Sequence, residues 1–132
     1  MAAGHETETP RAYDFLCEQE KRIVNKIRRL ASALEACDDY LEAKGLQGML
    51  NNVHLERDLI QYLMVQANTY NLSLDAVVLQ QISQYRREIQ RLSQSWTRGR
   101  SVPAGYWDAE VKRAFLFDLL GRYHAWCAGR PY

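Results

Sequence analysis

A hydrophobic repeat near the N-terminus constrains this chain more than any other feature. From Tyr13 to Leu41, apolar residues recur in steps of three and four, and Glu20 fills the single gap. A repeat of 3.5 residues over about four heptads is typical of one long helix whose seam packs against other helices. The residues that we expect at this helix–helix interface are Leu16, Ile23, Ile27, Leu30, Leu34 and Leu41.

Capping signals give the expected bounds of this first helix. Thr9 supplies a hydroxyl N-cap, and Pro10 suits the first helical position. Lys44 places a cation in the last turn, and Gly45 allows the left-handed conformation that ends many helices. We therefore predict a helix over about 10–44, preceded by a flexible, polar N-terminus at 1–9.

Three shorter helices are predicted after the first, at about 49–70, 74–97 and 107–126. Ser73 can cap the third helix, and Gly99, Pro103 and Gly105 mark a loop before the fourth. No stretch of the sequence alternates like a strand. The chain of 132 residues is therefore expected to form one all-α helical bundle at 10–128.

The expected helix lengths suggest self-association. A helix over 10–44 is about 50 Å long, whereas the next two helices span only about 33–36 Å each. Part of the seam would then lack a cover within the chain, unless the aromatic fourth helix folds back over it in a monomer. We expect a second copy to supply it in a homodimer, or else another helical protein.

Composition excludes several classes of protein. The 17 basic and 16 acidic residues leave a net charge of +1, so no strong overall field attracts nucleic acid or a membrane. No apolar run approaches the ~20 residues of a membrane span. Three widely spaced cysteines, Cys17, Cys37 and Cys127, do not form a disulfide framework, which favours the reducing cytoplasm.

Two clusters of basic residues could bind phosphates. Acidic runs at Glu35–Glu42 and Glu18–Glu20 offset them, so we interpret both clusters as solvated faces and rank nucleic-acid binding third among the functions. The clusters are Lys21, Arg22, Lys26, Arg28 and Arg29, and Arg86, Arg87, Arg91, Arg98 and Arg100.

Histidine motifs give only weak signals. His124 and Cys127 have helical i, i+3 spacing, but no second close pair completes a zinc site, so we predict no metal. His54 lies mid-helix like a phosphorylatable histidine, although no phosphotransfer motif surrounds it. We interpret it as a surface histidine.

Residues 50–96 resemble part of the all-helical chorismate mutase family, whose fold the isochorismate pyruvate-lyases share. The match is best from Leu55 to Gln94. The segments that carry it are Glu56-Arg57-Asp58-Leu59-Ile60, Tyr70-Asn71-Leu72, Gln81-Ile82 and Gln90. The resemblance implies an intertwined dimer in which two long first helices pair.

That resemblance also implies a set of site residues. Glu56, Gln90 (or Gln94) and Lys44 would take the catalytic positions, and Arg29 and Arg57 would bind a chorismate-type dicarboxylate without a cofactor. However, Ala33 and Leu55 stand where the family has arginines. We therefore place a non-catalytic helical interaction or regulatory protein first and an enzyme of this class second.

The cysteine argument makes a direct prediction. Mass spectrometry of the native protein without reductant should find three free thiols, because nothing in the spacing favours a bridge. A stable Cys17–Cys37 or Cys37–Cys127 disulfide would contradict the cytoplasmic assignment.

Overall fold

The structure, a computed structural model, describes residues 3–70, 72–96 and 99–129, with side chains from residue 12 onward. Four helices account for nearly all of these residues: α1 (Ala3–Ala36), α2 (Tyr40–Thr69), α3 (Leu74–Gln94) and α4 (Tyr106–Cys127). No strand occurs in the described ranges. The predicted all-α bundle is confirmed.

The predicted end of the first helix is wrong. The chain breaks at Cys37, Asp38 and Asp39, and α2 begins at Tyr40, so the start predicted for the second helix at about 49 is also wrong. Asp39 has an extended backbone, and its carboxylate accepts a hydrogen bond of 3.1 Å from the Leu41 backbone N–H. This N-cap satisfies a helix-terminal donor, and Gly45 is accommodated inside α2 at a cost of roughly 1 kcal/mol.

The bounds of the last two helices agree closely with expectation, whereas the start of α1 does not. The helical backbone starts at Ala3, not at the Thr9–Pro10 signal, and the predicted flexibility of 1–9 stays a prediction. The third helix stops at Gln94, three residues early, and α4 lies within one residue of its predicted range at each end. Asn71, Thr97 and Arg98 lie outside the described residues.

The four helices form two antiparallel hairpins. In the first, Gln61 of α2 donates a hydrogen bond to Glu20 of α1. In the second, His124 of α4 lies 2.7 Å from Asp75 of α3. The second hairpin packs on the first mainly through α2, and the C-terminal end of α4 reaches the N-terminal half of α1.

One core joins all four helices, and an aromatic cluster anchors α4 to α1. The ring of Phe15 is fully buried, 5.2 Å from the Tyr123 ring and 5.6 Å from the Trp126 ring between centroids. Sequence reasoning missed Phe15 because it lies one position before the seam residue Leu16. The most deeply buried apolar side chains are Phe15, Leu16, Ile60, Leu63, Val78, Leu116 and Leu119.

The seam of α1 is covered inside the chain. Leu16, Ile23 and Leu30 are buried in the core, and Ile27 packs against it. The overhang that suggested self-association is absent, because α1 and α2 have 34 and 30 residues and therefore similar lengths. Leu34 is half-buried, and only Leu41, now in the first turn of α2, is fully exposed.

Substitution of Leu30 tests whether the α1 seam is buried. Its side chain is 9% exposed, so Leu30→Ala should destabilise the fold by about 2–5 kcal/mol through lost burial and an incompletely filled cavity. The matched control is Leu79→Ala, since Leu79 is 53% exposed. Urea denaturation followed by circular dichroism compares the two. Equal losses would contradict the burial of the α1 seam.

Candidate interaction surface

The first half of α2 is covered on one side only, where Leu46 and Leu50 are half-buried and pack against the core. The buried residues of this helix all lie between Val53 and Ala67. In steps of eighteen residues, or five full turns, buried Leu59 is in line with Leu41 and buried Ala67 is in line with Met49. There the side chains of Met49 and Leu41 are 51% and 75% exposed. Beside the side that Leu46 and Leu50 bury, the first half of α2 therefore carries apolar side chains, Leu41 and Met49, that are largely exposed.

A matching uncovered strip runs along α1. Phe15 and Gln19 face α4, since Phe15 packs on Tyr123 and Gln19 accepts a hydrogen bond of 3.3 Å from Arg122. Seven-residue steps from Gln19 lead to Lys26 and then to Ala33, both exposed. The side of α1 that α4 covers near Phe15 thus continues uncovered toward the turn at 37–39.

Residues with small side chains, or none, line the exposed region that α1 and α2 share near the turn. Ala33 and Ala36 are exposed on α1, and Gly45 on α2 has no atom outside its own helix within 4 Å of where a Cβ would stand. Helices approach closely where such small residues meet. We call this region the distal hairpin face; it comprises Ala33, Ala36, Leu41, Gly45 and Met49.

Charges flank the distal hairpin face in two separate groups. The basic residues of α1, at Lys21–Arg29, are exposed toward the middle of the hairpin, where Arg22 pairs with Glu18 at 3.2 Å. Four exposed carboxylates lie at or next to the turn. They are Glu35, Asp38, Asp39 and Glu42.

The residues nominated by the chorismate mutase resemblance do not form one cluster in this chain. Lys44 and Glu56 are both on α2, twelve residues and therefore about 18 Å apart along the helix axis. Gln90 and Gln94 are exposed on α3, and Arg29 is exposed on α1. Arg57 is half-buried, and its Nε has no hydrogen-bond partner among the described residues.

Glu56 has the most perturbed environment of these residues. It is half-buried, and burial raises the pKa of its carboxyl group. Lys26 and Arg122 oppose that rise, and the nearby Asp118 carboxylate adds to it. Arg122 also pairs with Asp118, so the two helices α2 and α4 meet here through partly exposed charges.

The histidines and cysteines are dispersed. His124 is paired with Asp75, while His54 is exposed on α2. Within the described ranges, no group of three or more His, Cys, Asp or Glu side chains is placed to hold a metal ion. Cys17, Cys37 and Cys127 are unbridged and half-buried.

Comparison with known proteins adds no relative. No protein-family model, curated protein or solved structure matches this chain. None of the helices in the described part of the chain has the length and apolar character to cross a membrane.

The environment of Glu56 predicts that the stability of the folded protein depends on pH. Its folded-state pKa is raised, so the folded protein should lose stability as pH rises from the unfolded value of roughly 4.3 through the folded value. Glu56→Gln should remove that loss and raise the melting temperature at pH 7 by about 2 °C, a small effect because the group is partly solvated. Thermal melts between pH 4 and 7 measure it. A difference between variant and wild type that is constant across this range would contradict the assignment.

Proposed function

We propose that this protein is a non-catalytic helical interaction protein that self-associates through the distal hairpin face. The observation that carries the proposal is the uncovered apolar side of α2, where Leu41 and Met49 are exposed in line with residues that are buried farther along the helix. An amphipathic helix is stabilised by burying its apolar side against another element. A second hairpin supplies such an element.

Charge complementarity favours a second copy over an unrelated partner. In a two-fold antiparallel arrangement the same patch contacts itself, so the basic middle of one α1 lies opposite the acidic turn of the other. Lys26 and Arg29 then approach Asp38 and Glu35 of the second copy, twice per dimer. These rim charges specify the antiparallel orientation, while the apolar and small residues supply the contact area.

This interface differs from the one expected from the repeat. Of the six seam residues, only Leu34 and Leu41 can contribute, because the others are buried in or packed against the core of their own chain. We place the protein in the cytoplasm as part of the proposal, since its three thiols are unbridged. Catalysis is not part of the proposal, because Lys44, Gln90 and Glu56 do not converge within one chain.

The molecular mass of the protein in solution tests whether it self-associates. Sedimentation equilibrium at tens of micromolar should give twice the single-chain mass of 15.4 kDa. The double variant Leu41→Asp/Met49→Asp should sediment as a monomer, because four carboxylates would be buried per dimer. Both positions are exposed within the chain, so circular dichroism should show an unchanged fold.

Phe117→Asp is the matched control. Phe117 is as exposed as these residues, at 62%, but lies on α4, so this variant should remain a dimer. A wild-type mass near 15.4 kDa would contradict self-association. A Leu41→Asp/Met49→Asp protein that stays dimeric would contradict this face as the interface.

A further inference from the structure

The second hairpin carries a segment that is almost free of negative charge. Residues 76–107 contain five arginines and a single carboxylate, Glu88. Glu88 is half-buried and already paired, since its carboxylate accepts hydrogen bonds of 2.6 and 3.3 Å from Arg91. The remaining arginines of the segment have no carboxylate of their own within it.

From Ser83 to Gln94 the outward side of α3 is made of hydrogen-bonding side chains, whereas one turn earlier it carries the exposed Leu79. Ser83, Arg87, Gln90 and Gln94 follow one another in steps of three and four, and Arg86 flanks them; all are exposed. Arginine, glutamine and serine are side chains that donate to phosphate oxygens. This side of α3 is therefore suited to an extended polyanion.

An exposed aromatic group stands where α3 leads into α4. The Tyr106 ring contacts the Trp96 ring at 5.5 Å and the Trp107 ring at 5.1 Å, both edge-on. The side chain of Trp107 is 61% exposed. The Trp96 indole N–H donates to the Arg100 backbone carbonyl at 3.1 Å, which holds the exposed Arg100 beside these rings.

The acidic runs of the sequence do not neutralise this surface. Glu35–Glu42 lies at the turn of the first hairpin, and Glu18 and Glu20 lie on α1. The net charge of +1 thus conceals an arginine-rich side of α3 that these two acidic runs do not offset, and the carboxylate next to the aromatic group is the exposed Asp108. Arg98 lies outside the described residues.

We infer that the outward side of α3 and the aromatic group at its end bind single-stranded nucleic acid. Arg86, Arg87 and Arg100 contact backbone phosphates, and a base stacks on Trp107, the combination by which single strands are bound without sequence preference. An anionic membrane fits less well, because a helix that lies on a bilayer carries an apolar side, whereas Gln90 and Gln94 occupy this one.

The experiment titrates the full-length protein against a fluorescent oligouridine of about 12 nucleotides, within the range of known single-strand sites. Anisotropy should report binding that weakens with salt. Arg86→Gln/Arg87→Gln should reduce the slope of log K against log salt by about 1.4, for two lost phosphate contacts. Trp107→Ala should weaken binding about tenfold through lost stacking.

Lys21→Gln/Arg28→Gln removes two exposed cations from α1 and is the matched control, which should bind like the wild type. The Leu41→Asp/Met49→Asp protein should also bind, since this surface does not depend on self-association. Absence of binding at low salt would overturn the inference, as would an unchanged affinity of Trp107→Ala. Stronger binding to phosphatidylserine vesicles than to the oligouridine would assign the surface to a membrane instead.

Discussion

The cap that Asp39 forms on α2 determines how the rest of the chain packs. Its carboxylate accepts the Leu41 N–H, so the chain reverses at 37–39 and not at Gly45. The reversal gives α1 and α2 similar lengths and sets their register, in which Gln61 meets Glu20. The seam residues Leu16, Ile23 and Leu30 are then buried against the chain's own helices.

The two hairpins differ in length, and this difference leaves exposed the surface on which the proposed function rests. With 21 and 22 residues, α3 and α4 are shorter than α1 and α2, and the fully buried residues of α2 begin at Val53. Their contact with the first hairpin centres on Phe15 and the second half of α2. Leu41 and Met49 consequently keep the apolar character of a core-facing side without a cover, while the charges of α1 and of the turn flank them.

Local sequence signals predicted the ranges of α3 and α4 closely. They placed the turn between α1 and α2 at the wrong position. The α4 range followed from its aromatic periodicity and the glycines on either side, and the start of α3 from Ser73 and its apolar spacing. The Lys44-Gly45 signal placed the turn too late, because Asp39 caps α2 and Gly45 is tolerated inside that helix. The environment of Glu56 was likewise unpredictable, because Lys26 and Arg122 come from helices far away in sequence.

The sequence by itself determined the all-helical class, the number of helices, the extent of α3 and α4, and most apolar residues of the α1 seam, because periodicity and capping act within a few turns of one helix. Only the tertiary structure decided that helices of the same chain bury this seam. It also decided which apolar side of the first hairpin stays exposed. It also decided whether acidic residues neutralise the arginines of α3. Burial and electrostatic compensation depend on distances between helices, and no pattern along a single helix contains those distances.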